Sequence, residues 1–429
     1  MRVLVYRMNC GFNGVTTWMA DLGTGLTTRG VDVSFWFVGG APERAAPFAQ
    51  LGPTTVGSIP SLLAHLERER YDVVQVATGD RWSLALTLLH TSFRLVATNH
   101  GSVGRVWNST NCHALTAVSR DMAALEQPYS DLAVDMIHNA IDVDRFSRPT
   151  SVDASRPIVA WIGRASDIKQ KDFARFTRIA AALSARGFRI WVADGSGSSP
   201  TDFTGEGYAQ VEYDQWQRLS MGEIPDFYRQ VAASGGVVLM TSRYEAFGLV
   251  AIEAAAAGAP TIGPDVLGLR EAIQPEYGTT FPATASDADV VTLVEEWIAA
   301  NPPSLARFEQ RAEAVAARFS LPQMIDGYLA VYQRSAPIVL PVRTRLPDPL
   351  PPGAQEWIDS AASPTIRHRG LWAPTARELA DAGERSLALR AVKEAIAHDP
   401  LVMARPGDLL RLGKTVLRAL AKRRKPLPA

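Results

Sequence analysis

The chain has 429 residues, 47% hydrophobic and 21% charged, which is enough apolar content for a sizeable core and too much for a disordered chain. Basic and acidic residues both number 44, so no chain-wide positive field for nucleic acid exists, and Cys10 and Cys112 are too few for a disulfide framework and lack zinc-type spacing. No apolar run approaches the roughly 18 residues of a membrane span and the apolar part of the N-terminus is short for a signal peptide, so a cytoplasmic, soluble protein of two or three domains is expected.

Short apolar runs alternate with helical patterns. Val3–Tyr6 reads as a strand, and Val15, Trp18, Met19, Leu22 and Leu26 then recur at helical spacing up to a stop at Gly30. Further strands are expected at Val31–Val38, Asp72–Ala77, Arg94–Thr98, Ala114–Val118 and Ala133–Ile137. After a hinge at Arg148–Pro157 the rhythm restarts, with strands at Ile158–Ile162, Arg189–Ala193, Gly236–Met240 and Pro260–Ile262. Helices fall between and after these at Asp172–Arg186, Ile224–Ala233, Gly248–Ala257 and Asp287–Ala300. The rhythm implies an α/β chain of two doubly wound, Rossmann-like halves facing a cleft, with ligands at the carboxyl ends of the strands. Expected boundaries are 1–149, 150–335, a Pro-rich linker at 336–364 and a basic helical tail at 365–429. In the tail, helices are expected over about Thr375–His398 and Gly407–Lys422.

The strongest chemical signal is Glu245-Ala-Phe-Gly-Leu-Val-Ala-Ile-Glu253, set between a strand ending near Thr241 and a helix starting near Gly248. Backbone N–H groups of Phe247, Gly248 and Leu249 would point out of a helix N-terminus, an arrangement that binds anions. Glu245 and Glu253 suit sugar hydroxyls, which donate to carboxylates; taken alone, they are equally two solvated glutamates on an ordinary helix. Gly163-Arg164 ends another strand, with Lys169 and Lys171 beyond it. Cations at such a place can hold a diphosphate, or can be surface charges. Gly195-Ser-Gly197 closes a third strand but lacks the third glycine of the dinucleotide fingerprint. Gly11-Phe-Asn-Gly14 opens the first helix, where a small loop would admit phosphates to an N-terminus carrying Thr16 and Thr17. Asn99-His100-Gly101 ends a strand, with His100 either facing a sugar or bonded to backbone. Gly413-Lys-Thr415 is not a P-loop, because Gly407 is misplaced and no strand precedes it.

Together these stretches resemble the retaining, nucleotide-sugar-dependent glycosyltransferases of the GT-B fold (group 1, family 4-like), whose E-x7-E motif is similar to Glu245–Glu253. The resemblance covers roughly residues 1–335. It includes the continuation through Gly258-Ala-Pro to Glu271, the serine at Ser119, and His138-Asn139-Ala-Ile-Asp142, where the family has a Pro-Asn-Gly-Val-Asp segment. The resemblance implies that Arg164 and Lys171, with Lys169 the alternative, hold the donor diphosphate. It further implies that Glu245 and His100 meet the sugar and that Glu253 meets the ribose. Gly14, Gly163, Gly195, Phe247, Gly248 and Leu249 would complete the donor site. It also implies no metal and no cofactor, since the nucleotide sugar is a substrate, and it leaves Asp142-Val-Asp144 as part of the hinge segment.

The implied reaction moves a sugar from a UDP- or GDP-sugar to an unidentified acceptor with retention of configuration. The alternatives are a sugar-nucleotide epimerase, a phosphorylase, or a non-catalytic nucleotide-sugar binder of the same architecture. Residues 405–425 hold eight basic residues and one acid, Asp408, so the tail carries a net charge of +7. Its cationic and apolar helix faces suit either packing on the preceding helix or peripheral contact with an anionic membrane. No nucleic-acid partner is expected.

Overall fold

A computed structural model of the chain describes residues 1–11, 13–40, 42–77, 93–101, 112–127, 132–334, 372–398 and 406–421. The linker expected at 336–364 and the basic run Lys422–Lys425 lie outside these residues.

The first half is built on seven parallel strands: β1 (Arg2–Asn9), β2 (Asp32–Gly39), β3 (Thr54–Val56), β4 (Val73–Ala77), β5 (Arg94–Asn99), β6 (Ala114–Ala117) and β7 (Val134–Met136). Their order is β3-β2-β1-β4-β5-β6-β7, with Val3 opposite Val33 on one side and Val73 on the other. The second half holds six parallel strands: β8 (Ile158–Gly163), β9 (Arg189–Asp194), β10 (Gln215–Gln217), β11 (Val237–Leu239), β12 (Thr261–Pro264) and β13 (Gly278–Phe281), in the order β10-β9-β8-β11-β12-β13. Central strands such as β4 and β11 are buried along their whole length, as parallel strands covered on both faces must be. In each sheet the winding reverses beside the first strand, between β1 and β4 and between β8 and β11. Loops diverge at such switch points and open a crevice at the carboxyl ends of the strands. The turns after β1, β8 and β11 all lie there.

Two parts of the chain pack differently from the sequence expectation. The sequence pattern assigns the segment up to 335 to the second half, yet its last helix, Leu321–Gln333, returns to the first sheet. Ile325, Tyr328 and Tyr332 are buried there with Trp18, Met19 and Leu22 of the Gly14–Thr28 helix. Tyr332 donates to Gln75 Oε1 at 3.0 Å, and the Tyr328 hydroxyl lies 3.2 Å from Thr98 Oγ1. The halves are therefore joined by two adjacent crossings, marked by a bridge between Ile141 and Ser320. The cause is the apolar and aromatic stripe of this helix, which buries its bulk only against the first sheet.

The described tail is likewise docked onto the body of the protein. It forms the helices Trp372–Ala382, Arg385–His398 and Pro406–Ala421, with Gly383 in a left-handed turn (φ +85°) splitting what the sequence pattern presented as one helix. Leu379, Leu387, Ala391, Leu412 and Ala419 join the core formed by Leu4, Tyr6, Leu62, Leu66 and Val74 on one face of the first sheet. Arg390 pairs with Glu67 beside this contact. The tail helices thus serve as a layer of the first half, because small and apolar residues on their inner faces complete a sheet face that otherwise meets water.

Candidate functional site

The turn after β8 and the turn after β11 are stitched together. Arg243 N donates to Gln170 O at 2.8 Å, and Thr241 Oγ1 donates to Lys171 O at 2.9 Å. Asp172 follows Lys171 in the left-handed region (φ 44°, ψ 53°), where its carboxylate caps the Phe173–Ser184 helix and accepts from Arg243 Nε at 3.1 Å. This kink turns Lys171 inward. Its ammonium pairs with Glu245 Oε1, and the same carboxylate accepts from Ser242 Oγ at 2.7 Å and Gln170 Nε2 at 3.1 Å. Lys169, two residues earlier, is exposed and forms no ion pair among the described residues. The structure thus separates the two lysines by environment. The sequence does not single out Gln170 and Ser242; being short polar neighbours of a motif, they carry no spacing signal of their own.

The helix Leu249–Ala256 begins immediately after this carboxylate. Its N-cap, Gly248, is in a left-handed conformation (φ 101°) and offers no side-chain cap, leaving the first-turn donors to other partners. Phe247 is buried. Across the cleft stands Gly14 of the first half: a Cβ at Gly14 would lie 3.4 Å from Leu249 Cδ1. The N-terminus of the Gly14–Thr28 helix differs from the expectation of an open phosphate seat. Asn13 Oδ1 accepts from Val15 N at 3.1 Å and Thr16 N at 3.4 Å, and Thr16 Oγ1 donates back to Gly11 O and Asn13 O. A capping box satisfies these donors internally, because Asn is among the best N-caps.

The remaining sequence-selected residues occupy the rim and the floor. Arg164 follows β8 directly, with Nη2 bonded to Asp167 Oδ2 at 2.6 Å. Gly195 N donates to Gly163 O at 2.6 Å, so these two glycines sit side by side at the ends of β9 and β8. Asp194 organises this corner by accepting from Ala165 N, Ser196 N and Ser198 N, and from Ser196 Oγ. Burial disfavours its charge, but these donors outweigh burial and hold the carboxyl below its ordinary range.

Glu253 is 8% exposed and accepts from Tyr228 at 3.2 Å. Burial raises its pKa, while the nearby Arg145 charge lowers it. Arg145 also pairs with Asp21 at 3.4 Å, whose carboxyl is pushed up to about 7, first by burial and then by Glu253 and Asp142, against the pull of Arg145. His100 directly follows β5 with its ring 4.3 Å from Trp18, and its buried Nε2 has no hydrogen-bond partner among the described residues. Burial and then Arg7 push its pKa down to about 3, so the imidazole is neutral at physiological pH. Asp142 caps a 3₁₀ turn by accepting from Asp144 N at 3.2 Å, and no group of three or more metal-ligating side chains is assembled among the described residues.

Contacts between the halves extend the site. Glu271, within the short Leu269–Ala272 helix of the second half, accepts from the first half at three points: Arg120 N (3.0 Å), Asp121 N (3.0 Å) and His138 Nε2 (2.9 Å). Asp121 reciprocates by accepting from Gly268 N at 3.1 Å and pairing with Arg270 at 3.3 Å. Burial opposes charge on Glu271, but His138 and the two backbone donors prevail and lower its pKa.

Comparison with known proteins agrees with this architecture. The model of the Glycosyltransferase Family 4 matches residues 12–145 and that of the Glycosyl transferases group 1 matches residues 214–315, together more than half of the chain. Among curated proteins, the D-inositol 3-phosphate glycosyltransferase of Mycolicibacterium smegmatis is 29% identical over 223 residues, 47% of this chain and 48% of its own length. That of Mycolicibacterium vanbaalenii is 26% identical over 293 residues, 60% and 63% respectively. The chain therefore spans about half to two thirds of the length of these relatives. Among solved structures, a glycosyltransferase from Rickettsia africae superposes with a TM-score of 0.64 at 17% identity, over 77% of this chain and 97% of that one. Anabaena HepE in complex with UDP-glucose superposes with a TM-score of 0.60 at 14% identity, over 77% and 99%. Two all-parallel sheets facing each other at their switch points, matched by these two models in chain order, place the chain, with its GT-B fold, in the family of the group 1 glycosyl transferases with a family 4 first half.

Proposed function

We propose that the chain transfers a sugar from a UDP- or GDP-sugar to an acceptor hydroxyl, with retention and without a metal or cofactor. The observation that carries this reading is the convergence of Lys171, Glu245 and the uncapped Leu249–Ala256 helix at the second switch point, facing Gly14 across the cleft. As the bond between the anomeric carbon and the phosphate oxygen breaks, negative charge grows on the diphosphate. Lys171, Arg164 and the backbone N–H groups at Phe247, Gly248 and Leu249 stabilise it, an electrostatic contribution made before the reaction begins. Glu245 and His100 position the sugar through its hydroxyls, and Glu253 serves the ribose. Gly163 and Gly195 lie side by side at the strand ends, where a Cβ would press on Trp161 (3.0 Å) or on Gly163 O (3.3 Å). The acceptor oxygen forms the new bond on the same face, and its proton passes to the leaving phosphate oxygen. HepE was crystallised with UDP-glucose, which favours a uridine donor. The substrate in the curated relatives' name, D-inositol 3-phosphate, makes a phosphorylated polyol the first acceptor to try. Among the described residues no acid–base pair can be assigned to an epimerase.

The test is release of nucleoside diphosphate from UDP- and GDP-sugars with and without an acceptor panel that includes inositol 3-phosphate, with product configuration read by NMR. Acceptor-dependent release with a retained anomer supports the reading. Acceptor-independent conversion of the donor to its epimer overturns it.

For the acceptor's setting we propose peripheral contact of the last helix with anionic lipid, not insertion, since no helix among the described residues is long and apolar enough to cross a membrane. Its inner face is buried, while Leu417 (67% exposed) and Leu420 (55%) point outward beside the exposed Lys414 and Arg418. Removing the tail would strip the first sheet, so the informative variant is Lys414→Glu/Arg418→Glu in the full chain. Co-sedimentation with anionic vesicles should fall in this variant; equal sedimentation of both proteins would retire the idea.

A further inference from the structure

We propose that His138 is a positioning residue: acting from the first half through Glu271, it holds the Asp265–Glu271 segment, a turn leading into the short helix, against the Glu245–Gly248 turn. The donor pocket would then keep its shape only while the two halves are clasped. The proposal rests on the donor reading above for its consequence, but its geometry stands independently.

The loop and the turn are in direct contact. Glu245 N donates to Leu267 O at 3.0 Å. Gly268 lies so close that a Cβ there would sit 2.2 Å from Glu245 O, and a Cβ at Gly248 would sit 2.6 Å from Leu269 Cδ2. Whatever fixes residues 265–271 therefore fixes the peptide planes of the donor motif. Three of the groups that fix them belong to the first half and converge on Glu271. Two are backbone donors, which any sequence supplies; His138 is the side chain among the three. The resemblance places a proline at this position, and a proline has no donor to offer Glu271. The His138 ring also stands 5.7 Å from Phe247 and 5.4 Å from Phe319, so the same side chain touches the motif and the second crossing between the halves. With Glu271 charged and its pKa lowered, the contact is a charge-assisted hydrogen bond, stronger than a neutral one and sensitive to geometry.

The test compares His138→Ala, His138→Gln and Glu271→Ala in the full chain. Glutamine presents an amide N–H at the reach of Nε2, so it keeps the donor while changing the ring. Amide hydrogen exchange over residues 245–250 and 266–273, measured without ligand, should quicken by about tenfold in His138→Ala and return toward wild type in His138→Gln. In the Glu271→Ala background, His138→Ala should add little, because the two act in series. The donor KM should rise by about tenfold in His138→Ala with a smaller change in kcat. Unchanged exchange in His138→Ala, or a glutamine variant as defective as the alanine one, overturns the proposal and assigns His138 to ring packing alone. Wild-type protein that binds no nucleoside diphosphate would contradict the donor reading, while the exchange data would still decide the clasp.

Discussion

Gly268→Ala is the substitution for which the structure gives the sharpest expectation. Gly268 has φ +79°, and an added Cβ would meet Glu245 O at 2.2 Å and Ala246 C at 2.8 Å. Both obstacles are backbone atoms, so neither can swing aside as a side chain would. A left-handed backbone costs an L-residue about 1–2 kcal/mol, and forcing atoms into a packed contact adds about 1–3 kcal/mol. The sum, roughly 2–5 kcal/mol, is released either by unfolding or by moving the Glu245–Gly248 turn. Gly187 is the control: its φ is +92° and nothing lies within 4 Å of its Cβ position. Gly187→Ala therefore carries the backbone cost alone, partly offset by about 0.4–1 kcal/mol from the stiffer unfolded chain. Urea unfolding of both variants, with nucleoside diphosphate affinity measured in parallel, separates the two contributions. Gly268→Ala should lose both stability and affinity, and Gly187→Ala should lose at most about 1.6 kcal/mol of stability and no affinity. If Gly268→Ala behaves like Gly187→Ala on both measures, the contact between loop and motif is not what shapes the turn.

Other expectations follow from the same structure. Asp21 has a folded-state pKa of about 7 against an ordinary 3.8, so the folded protein holds a proton that the unfolded chain releases, and stability falls as pH rises from about 4 to 7. Asp21→Asn should flatten that slope, opening a gap between variant and wild type of at most roughly 4 kcal/mol by pH 8; parallel stability curves would exclude Asp21 as the source. Leu387→Ala, in the docked tail, should cost about 2–5 kcal/mol and lower the unfolding transition of the first half, whereas a tail independent of the core would leave that transition in place. Activity should persist in excess EDTA, and a strict requirement for Mg²⁺ or Mn²⁺ would return attention to Asp142 and Asp144.

The sequence exposes those parts of the fold whose physics is local. Long apolar strands such as β1, β2 and β5 and the Ile224–Ala233 and Asp287–Ala300 helices follow from period and caps. The strands β3, β10 and β13 do not, because Thr-Thr-Val, Gln-Trp-Gln and Gly-Thr-Thr-Phe are too short or too polar to show a period, and edge position makes them strands. The return of Leu321–Gln333 to the first sheet is equally hidden, since an amphipathic stripe says that a helix is buried and not against what. Within the site, Asp172 illustrates the same division. Its place after Lys171 can be read from the chain, while its left-handed backbone, which aims Lys171 at Glu245, emerges only from the stitching of two turns 70 residues apart. Glu271 and His138 meet across 133 residues, and no local pattern foretells that contact.

Calorimetric titration of UDP and GDP into the wild-type protein and into Lys171→Ala, Arg164→Ala and Lys169→Ala tests the donor-site assignment most directly. The account predicts saturable binding of at least one nucleotide by the wild type and by Lys169→Ala. It predicts a loss of about tenfold or more in Lys171→Ala and in Arg164→Ala, the scale of one charge-assisted contact to phosphate. Binding that survives Lys171→Ala but fails in Lys169→Ala, or no binding by the wild type, would contradict it.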